Sequence, residues 1–246
     1  WRLIPFLNAP GKVQMAIDSW LLEKHATGKH PPALRFYTWS PPAISLGYHQ
    51  RNFPQFWQDL TYEGKELDLV RRPTGGRAVL HQGDLTYMVV TSGIEGKRLE
   101  VYEKICQFLI EGWRSLGIEL QYGNAGRGYI NNPSCFGTAT GADLVTIDGY
   151  KLIGSAQKRI GKTVLQHGSM RLFPNSTLFE QVFNEPLMPF ELPFEENEQK
   201  VIEQVIESLI PAAQVCFNIE LVSEDFSEAE WQDILNQKTN LICENL

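Results

Sequence analysis

Two turn signals, Asp148-Gly149 and Gly161-Lys162, do most to limit what this chain can fold into. On either side of the first, DLVTIDGYKLIGSAQKR is built of strand-forming residues, and Asp-Gly between two such runs is a strong two-residue hairpin signal. The second leads into TVLQHGSMRL, a further strand. This stretch is therefore committed to antiparallel pairing, and the rest of the chain must supply what covers the sheet. The same turns dispose of an apparent motif. AQKRIGKT, residues 156–163, approximates a phosphate-binding P-loop, but Thr163 opens a β-branched strand. A P-loop must open a helix whose N-terminal amides hold phosphate. Its first position is also alanine rather than glycine.

Other periodicities place the remaining elements. Val13, Ile17, Trp20 and Leu21 predict a helix over 13–24, and Tyr102, Ile105, Cys106, Leu109, Trp113 and Leu116 predict one over 99–116 that stops at Gly117. Strands are expected at 34–39, 43–46, 67–72, 78–81 and 85–91. Residues 121–142 form a long glycine-rich irregular stretch, of the kind that in a compact domain is functional or disordered. Residues 173–198, with Pro174, Pro186, Pro189 and Pro193, read as a linker. A helix follows on Val201, Ile202, Val205, Ile206, Leu209 and Ile210. A shorter one near 227–235 starts from a capping box of Ser227 and Glu230. We expect a catalytic domain over 1–190 and an acidic helical extension over 191–246 packed on the same domain.

The 246 residues are 43% hydrophobic and 21% charged, which excludes disorder and a fibrous class. The net charge of −7 hides a split: residues 1–190 carry 20 basic and 16 acidic side chains, residues 191–246 carry 2 and 13. No apolar run is long enough for a membrane span, and the start shows no secretory pattern, so a cytoplasmic protein is expected. Cys106, Cys135, Cys216 and Cys243 are too widely spaced for a disulfide framework or a zinc site. No nucleic-acid signature is visible.

Four groups of residues carry candidate chemistry. In RRPTGGRAVLH, residues 71–81, Gly75 and Gly76 let the backbone approach a ligand closely, while Arg71, Arg72 and Arg77 supply permanently charged planar donors. A solvated hairpin is the plainer reading. Cys135, in NPSCFGTATG, is the one cysteine inside the long glycine-rich stretch. An ordinary thiol is only a few per cent thiolate at neutral pH, and a nearby cation raises that fraction. Lys151 is a candidate for that cation. His81 and His167 lie at or near strand ends with no evident orienting partner, which favours a structural role.

Taken together, RRPTGGRAVLH, DGYKLIGSAQKR with VLQHGSM, and AISLGYHQ ending in Gln50 resemble the lipoate and biotin protein ligase superfamily, in its lipoate-attachment branch. The match runs in order from about residue 15 to 172. Arg77 departs from the third glycine that many ATP-using ligases have, and agrees with the TGGRAVLH form of a transferase subfamily. Cys135-Phe136 ahead of Lys151 also resembles that subfamily. The resemblance implies an α+β fold, a mixed, mostly antiparallel sheet flanked by helices, as in the biotin/lipoate protein ligase catalytic domain.

It further implies octanoyl transfer from octanoyl-acyl carrier protein, through a Cys135 thioester, to a specific lysine of a lipoyl domain or glycine-cleavage H protein. No cofactor is then needed. Lys151 would lower the Cys135 pKa and later help deprotonate the acceptor lysine or hold the oxyanion. Arg71, Arg72, Thr74, Gly75, Gly76, Arg77, His81, Gly154, Ser155, Ala156, His167 and Gly168 would bind substrate. A Lys151→Ala variant would keep its fold and lose rate. The alternatives are an ATP-dependent lipoate-protein ligase, which would use ATP and Mg, and a non-catalytic acyl or carrier-binding module. A monomer is expected, with neither nucleic acid nor membrane as partner. Residues 71–171, with 13 basic and 8 acidic side chains, would face acidic partners, and the acidic tail would lie away from the acyl slot.

Overall fold

The computed structural model describes residues 1–123, 143–189, 192–194 and 196–243, with side chains up to residue 237. In chain order the elements are β1 (Arg2–Ala9), α1 (Gly11–Ala26), β2 (Ala33–Trp39), β3 (Ala43–Leu46), β4 (Thr61–Tyr62), β5 (Lys65–Glu66), β6 (Asp68–Arg71), β7 (Val79–His81) and β8 (Asp84–Ser92). Then come α2 (Arg98–Ser115), β9 (Leu120–Tyr122), β10 (Asp143–Thr146), β11 (Lys151–Ile160), β12 (Thr163–Arg171), α3 (Ser176–Phe183), α4 (Glu198–Phe217), β13 (Val222–Ser223) and α5 (Glu228–Cys243).

Both hairpins expected from the turn signals are present. β10 and β11 pair across Asp148-Gly149, and β11 meets β12 with Ile160 opposite Thr163. Thr163 therefore opens a strand and not a helix. Among the described residues the main sheet has eight strands in the order β13-β1-β2-β8-β12-β11-β10-β9. β1 runs parallel to β2 and β13, and the other neighbours are antiparallel. A second sheet, β6-β3-β7, stands beside it. This is the mixed, mostly antiparallel α+β architecture expected.

The period-two alternation of β8 divides the core. Leu85, Tyr87 and Val89 face α2 and α4, whereas Met88 and Val90 face α1 and the α5 residue Ile234. The sheet is thus covered on both faces. A third cluster, around Trp57, joins the small sheet to α3. No described helix is long and apolar enough to cross a membrane.

Three elements differ from the sequence reading. The segment read as a linker contains α3: Asn175 caps it by accepting from the Leu178 amide at 2.8 Å, and Leu178, Phe179, Val182 and Phe183 are buried. The prolines flank this helix rather than interrupt it. α4 does not stop before Pro211 but continues to Phe217, because its buried stripe of Val201, Val205 and Leu209 extends to Ala213 on the packed face. β1 escaped notice, since Pro5 spoils its pattern and its partners β2 and β13 are distant in sequence. The Ser227–Glu230 capping box is present, with reciprocal bonds of 2.8 and 3.3 Å.

Candidate active site

A cavity of about 480 Å3 opens where the small sheet, the 72–77 loop, β11 and β12 converge. Met15, Trp39, Val79, Leu99 and Tyr102 give it apolar walls. Its polar lining comes from three of the sequence segments singled out above, with Ser45, Thr86, Arg98 and Asp143 added from other elements.

The glycine loop is held by contacts that require glycine. A Cβ on Gly47 would lie 1.9 Å from the Gly76 carbonyl oxygen, so the AISLGYHQ segment and the Gly75-Gly76 loop touch backbone to backbone. Tyr48 N–H donates to the Thr74 carbonyl at 2.8 Å across the same seam. Arg72, buried, donates to the carbonyls of Ser45 at 2.7 Å, Gly75 at 2.9 Å and Arg77 at 2.6 Å. Arg71 points the other way, as the next residue along a strand does, and donates to the carbonyls of Gly47 at 2.9 Å and Gln50 at 2.7 Å. Arg71 does not line the cavity. Of the three arginines, two clamp loops, and Arg72 and Arg77 border the cavity.

Each histidine has the orienting partner that the sequence did not reveal. His81 Nδ1 donates to Asp84 Oδ2 at 2.8 Å, its Nε2 meets Ser45 Oγ at 2.8 Å, and its ring stacks on Trp39 at 3.8 Å. Burial pushes the His81 pKa down, so the ring is kept neutral and Nε2 accepts the Ser45 proton. Asp84 also accepts from Ser169 Oγ at 2.6 Å. This is a hydroxyl, imidazole and carboxylate in line, but Ser45 has no exposed surface and also receives Arg72 Nη1 at 3.2 Å. Its role is to lock the wall.

His167 lies between Asp18 and Thr74, with 2.7 Å from Nδ1 to Asp18 Oδ2 and 2.7 Å from Nε2 to Thr74 Oγ1. Thr74 is buried behind the lining and ties its loop to β12. Asp18 is further bonded by Tyr37 Oη at 2.9 Å and Arg35 Nη1 at 3.1 Å, all within the interior.

On β11, Lys151 Nζ lies 2.9 Å from Asp143 Oδ2, and both side chains are about 5% exposed. Arg171 holds the Lys151 carbonyl through Nη2 at 2.6 Å. Further along, Gly154, Ser155 and Ala156 border the cavity. Opposite them, a Cβ on Gly168 would meet Ser155 Oγ at 2.3 Å and Tyr87 Cε1 at 2.6 Å, so glycine there lets Tyr87 Oη donate to Ser155 Oγ at 2.8 Å. Cys106, in the core, has its thiol pushed up to about 12 by burial and is inert.

The fold thus gathers Gly75, Gly76, Arg77, His81, Lys151 and His167 around one cavity. Cys135 lies outside the described residues. Sequence reasoning missed Asp143, Asp18 and Gln157. An acid opening the strand opposite a hairpin lysine was the available signal for Asp143. Gln157 sat inside a quoted motif but was given no role, and nothing local marks Asp18.

Residues 10–229 match the lipoyl protein ligase A/B catalytic domain. The chain belongs to that family. Its curated relatives include Octanoyltransferase LipM of Anoxybacillus flavithermus, 36% identical over 197 residues that span 76% of this chain and 70% of that protein. The same-named protein of Moorella thermoacetica is 43% identical over 183 residues, 71% of this chain and 66% of the relative. That of Bacillus cereus is 34% identical over 250 residues, covering 89% and 87%. Among solved structures, lipoate-protein ligase A bound with ATP superposes with a TM-score of 0.75 at 21% identity, over 97% of this chain and 94% of that one. A bi-partite lipoate protein ligase of Thermoplasma acidophilum gives 0.71 at 19%, over 97% and 91%. At such identities these structures establish the fold of the lipoyl ligase family for this chain and nothing finer.

Proposed function

We propose that this member of the family is an octanoyltransferase of lipoate biosynthesis that moves an octanoyl group from octanoyl-acyl carrier protein to a lysine of a lipoyl domain or glycine-cleavage H protein. The observation that carries the reading is the kinship to octanoyltransferases at 34–43% identity. The cavity suits it: apolar walls for an acyl chain meet a polar end formed by Lys151, Asp143 and the glycine loop.

In this reading the Cys135 thiolate attacks the donor carbonyl, the carrier thiol leaves with a proton, and the acceptor amine then displaces the Cys135 sulfur. The first exchange trades one thioester for another and the second ends in an amide, so no ATP is consumed. Lys151 supplies a cation for the thiolate and the oxyanion, and Asp143 fixes where that cation sits. The N–H groups of the Gly75-Gly76 loop, itself pinned by Arg72, are available to the carbonyl.

Intact mass spectrometry after incubation with octanoyl-acyl carrier protein, without ATP, tests the reading. An octanoyl adduct is expected on the wild type and not on Cys135→Ala. An unmodified protein that acts on the acceptor only with ATP and free lipoate would instead be a ligase. Binding of the carrier with neither activity would leave a non-catalytic module.

A further inference from the structure

Among the described residues, the cavity wall contains an acceptor that no donor meets. Gln157 is 5% exposed and borders the cavity, and its Oε1 is a buried atom with no hydrogen-bond partner. Its orientation follows from a chain of bonds behind it. Gln166 Nε2 donates to Tyr87 Oη at 2.7 Å and to Cys106 Sγ at 3.2 Å. Both amide hydrogens of Gln166 are thereby used, so it offers only its oxygen to Gln157, whose Nε2 donates to that oxygen at 2.7 Å. Arg98 Nη2 reaches the Gln157 carbonyl at 3.5 Å from the first turn of α2. With one Nε2 hydrogen committed and the backbone held, Oε1 is the acceptor left without a donor in a residue that borders the cavity. A buried acceptor without a donor is costly. An octanoyl chain has no hydrogen to give it.

We propose that Gln157 Oε1 is a substrate-binding acceptor that takes an N–H from the substrate. The inference rests on the transferase reading above and adds a subsite to it. Two parts of the reactants carry such a hydrogen: the amide of the arm that bears the donor thioester, and the amine of the acceptor lysine. Either would pass walls that are apolar at Met15, Trp39, Val79, Leu99 and Tyr102, so this acceptor adds a polar contact to a slot that otherwise fits the acyl chain by shape.

Two octanoyl thioesters that differ in a single group test it: one of N-acetylcysteamine, which carries the amide N–H, and its ester counterpart of 2-mercaptoethyl acetate, which does not. The rate of Cys135 acylation by each is followed by intact mass on wild type and Gln157→Met. Transfer from the preformed thioester to a lipoyl domain is timed separately. If the donor arm supplies the N–H, wild type favours the amide thioester by about tenfold in kcat/KM and Gln157→Met brings that ratio to within about twofold of one. If the acceptor amine supplies it, the two thioesters acylate alike and Gln157→Met slows only the transfer step, by about tenfold. Should Gln157→Met fail to fold, Gln157→Leu, likewise without an acceptor, takes its place in both measurements. Changes under twofold in both steps mean that Oε1 meets water only, and overturn the inference. Failure of both thioesters to acylate the wild type brings down the transferase reading, and this subsite with it.

Discussion

Lys151 and Asp143 form a buried ion pair, and that changes what a single substitution at either can report. The sequence alone gives Lys151→Ala as a variant that loses rate and keeps its fold. In the interior it leaves the Asp143 carboxylate without its counter-ion, and breaking a buried pair from one side costs about 3–5 kcal/mol. Asp143→Asn alone should therefore lower the urea midpoint, and Lys151→Met with Asp143→Leu should recover most of it while remaining inactive in acylation. A double variant as unstable as the sum of the singles would show that the pair is not coupled.

Asp18 is the comparable case on the other side of the cavity. Its carboxylate accepts a hydrogen bond from His167 Nδ1 and so leaves Nε2 for Thr74, next to the glycine loop. Asp18→Asn should raise the KM for the acyl donor more than it lowers kcat, with the His167 side-chain nitrogen resonances changing places. Unchanged imidazole resonances with normal kinetics would remove Asp18 from the positioning of the loop. Lys151 was legible in the sequence as a candidate cation; Asp18 was not, because its partner His167 is 149 residues away.

The elements with local causes were the readable ones. α1 and α2 follow from a 3.6-residue apolar period, and the two hairpins of β10, β11 and β12 from their turn residues. α3 was hidden by the prolines on either side of it, and β1 by the absence of any local partner. Close contact between two loops is a property of the same scale. Gly47 follows β3 and touches Gly76 in a different loop, so Gly47→Ala places a methyl inside the Gly76 carbonyl. A cost of about 3 kcal/mol is expected for such overpacking, together with loss of acylation, and thermal unfolding beside a Cys135 acylation assay measures both. A variant as stable and active as wild type would mean that the two loops can move apart freely.

At the scale of the whole molecule, the charge split of the sequence has a structural counterpart. The described lining of the cavity ends at Ser169, and the acidic α4 and α5 pack behind other helices, α4 against α2 and α5 against α1, without adding a residue to that lining. One of those acids ties the ends of the chain together: Glu230 accepts from Arg2 Nη1 at 2.7 Å. The hydrogen bond to Arg2 holds the Glu230 carboxyl at about 2, below its ordinary 4.5. Stability from this pair is present above pH 4.5 and lost as the pH falls towards 2. Burial acts with the same sign on His81 and His30, both held below 6.5. Below that pH the unfolded chain binds protons that the folded one resists, so stability should decline as the pH falls from neutrality. Urea midpoints measured from pH 7.5 to 3 should fall in two stages. Glu230→Gln should remove only the lower one, and a single-stage profile in the wild type would contradict the assignment.

What the sequence determined by itself is what neighbouring residues decide among themselves: the hairpins, the amphipathic helices, the capping box at Ser227, and the motif segments that carry the family resemblance. What only the tertiary structure decided is what each motif side chain does. Arg71 and Arg72 are adjacent in one motif, yet they grip different loops. His81 and His167 acquired carboxylates, Lys151 acquired Asp143, and Gln157 was left with an unmatched oxygen. The physical reason is that a polar side chain inside a protein takes its role from whatever long-range pairing sets within about 3 Å of it, and no local pattern encodes that partner.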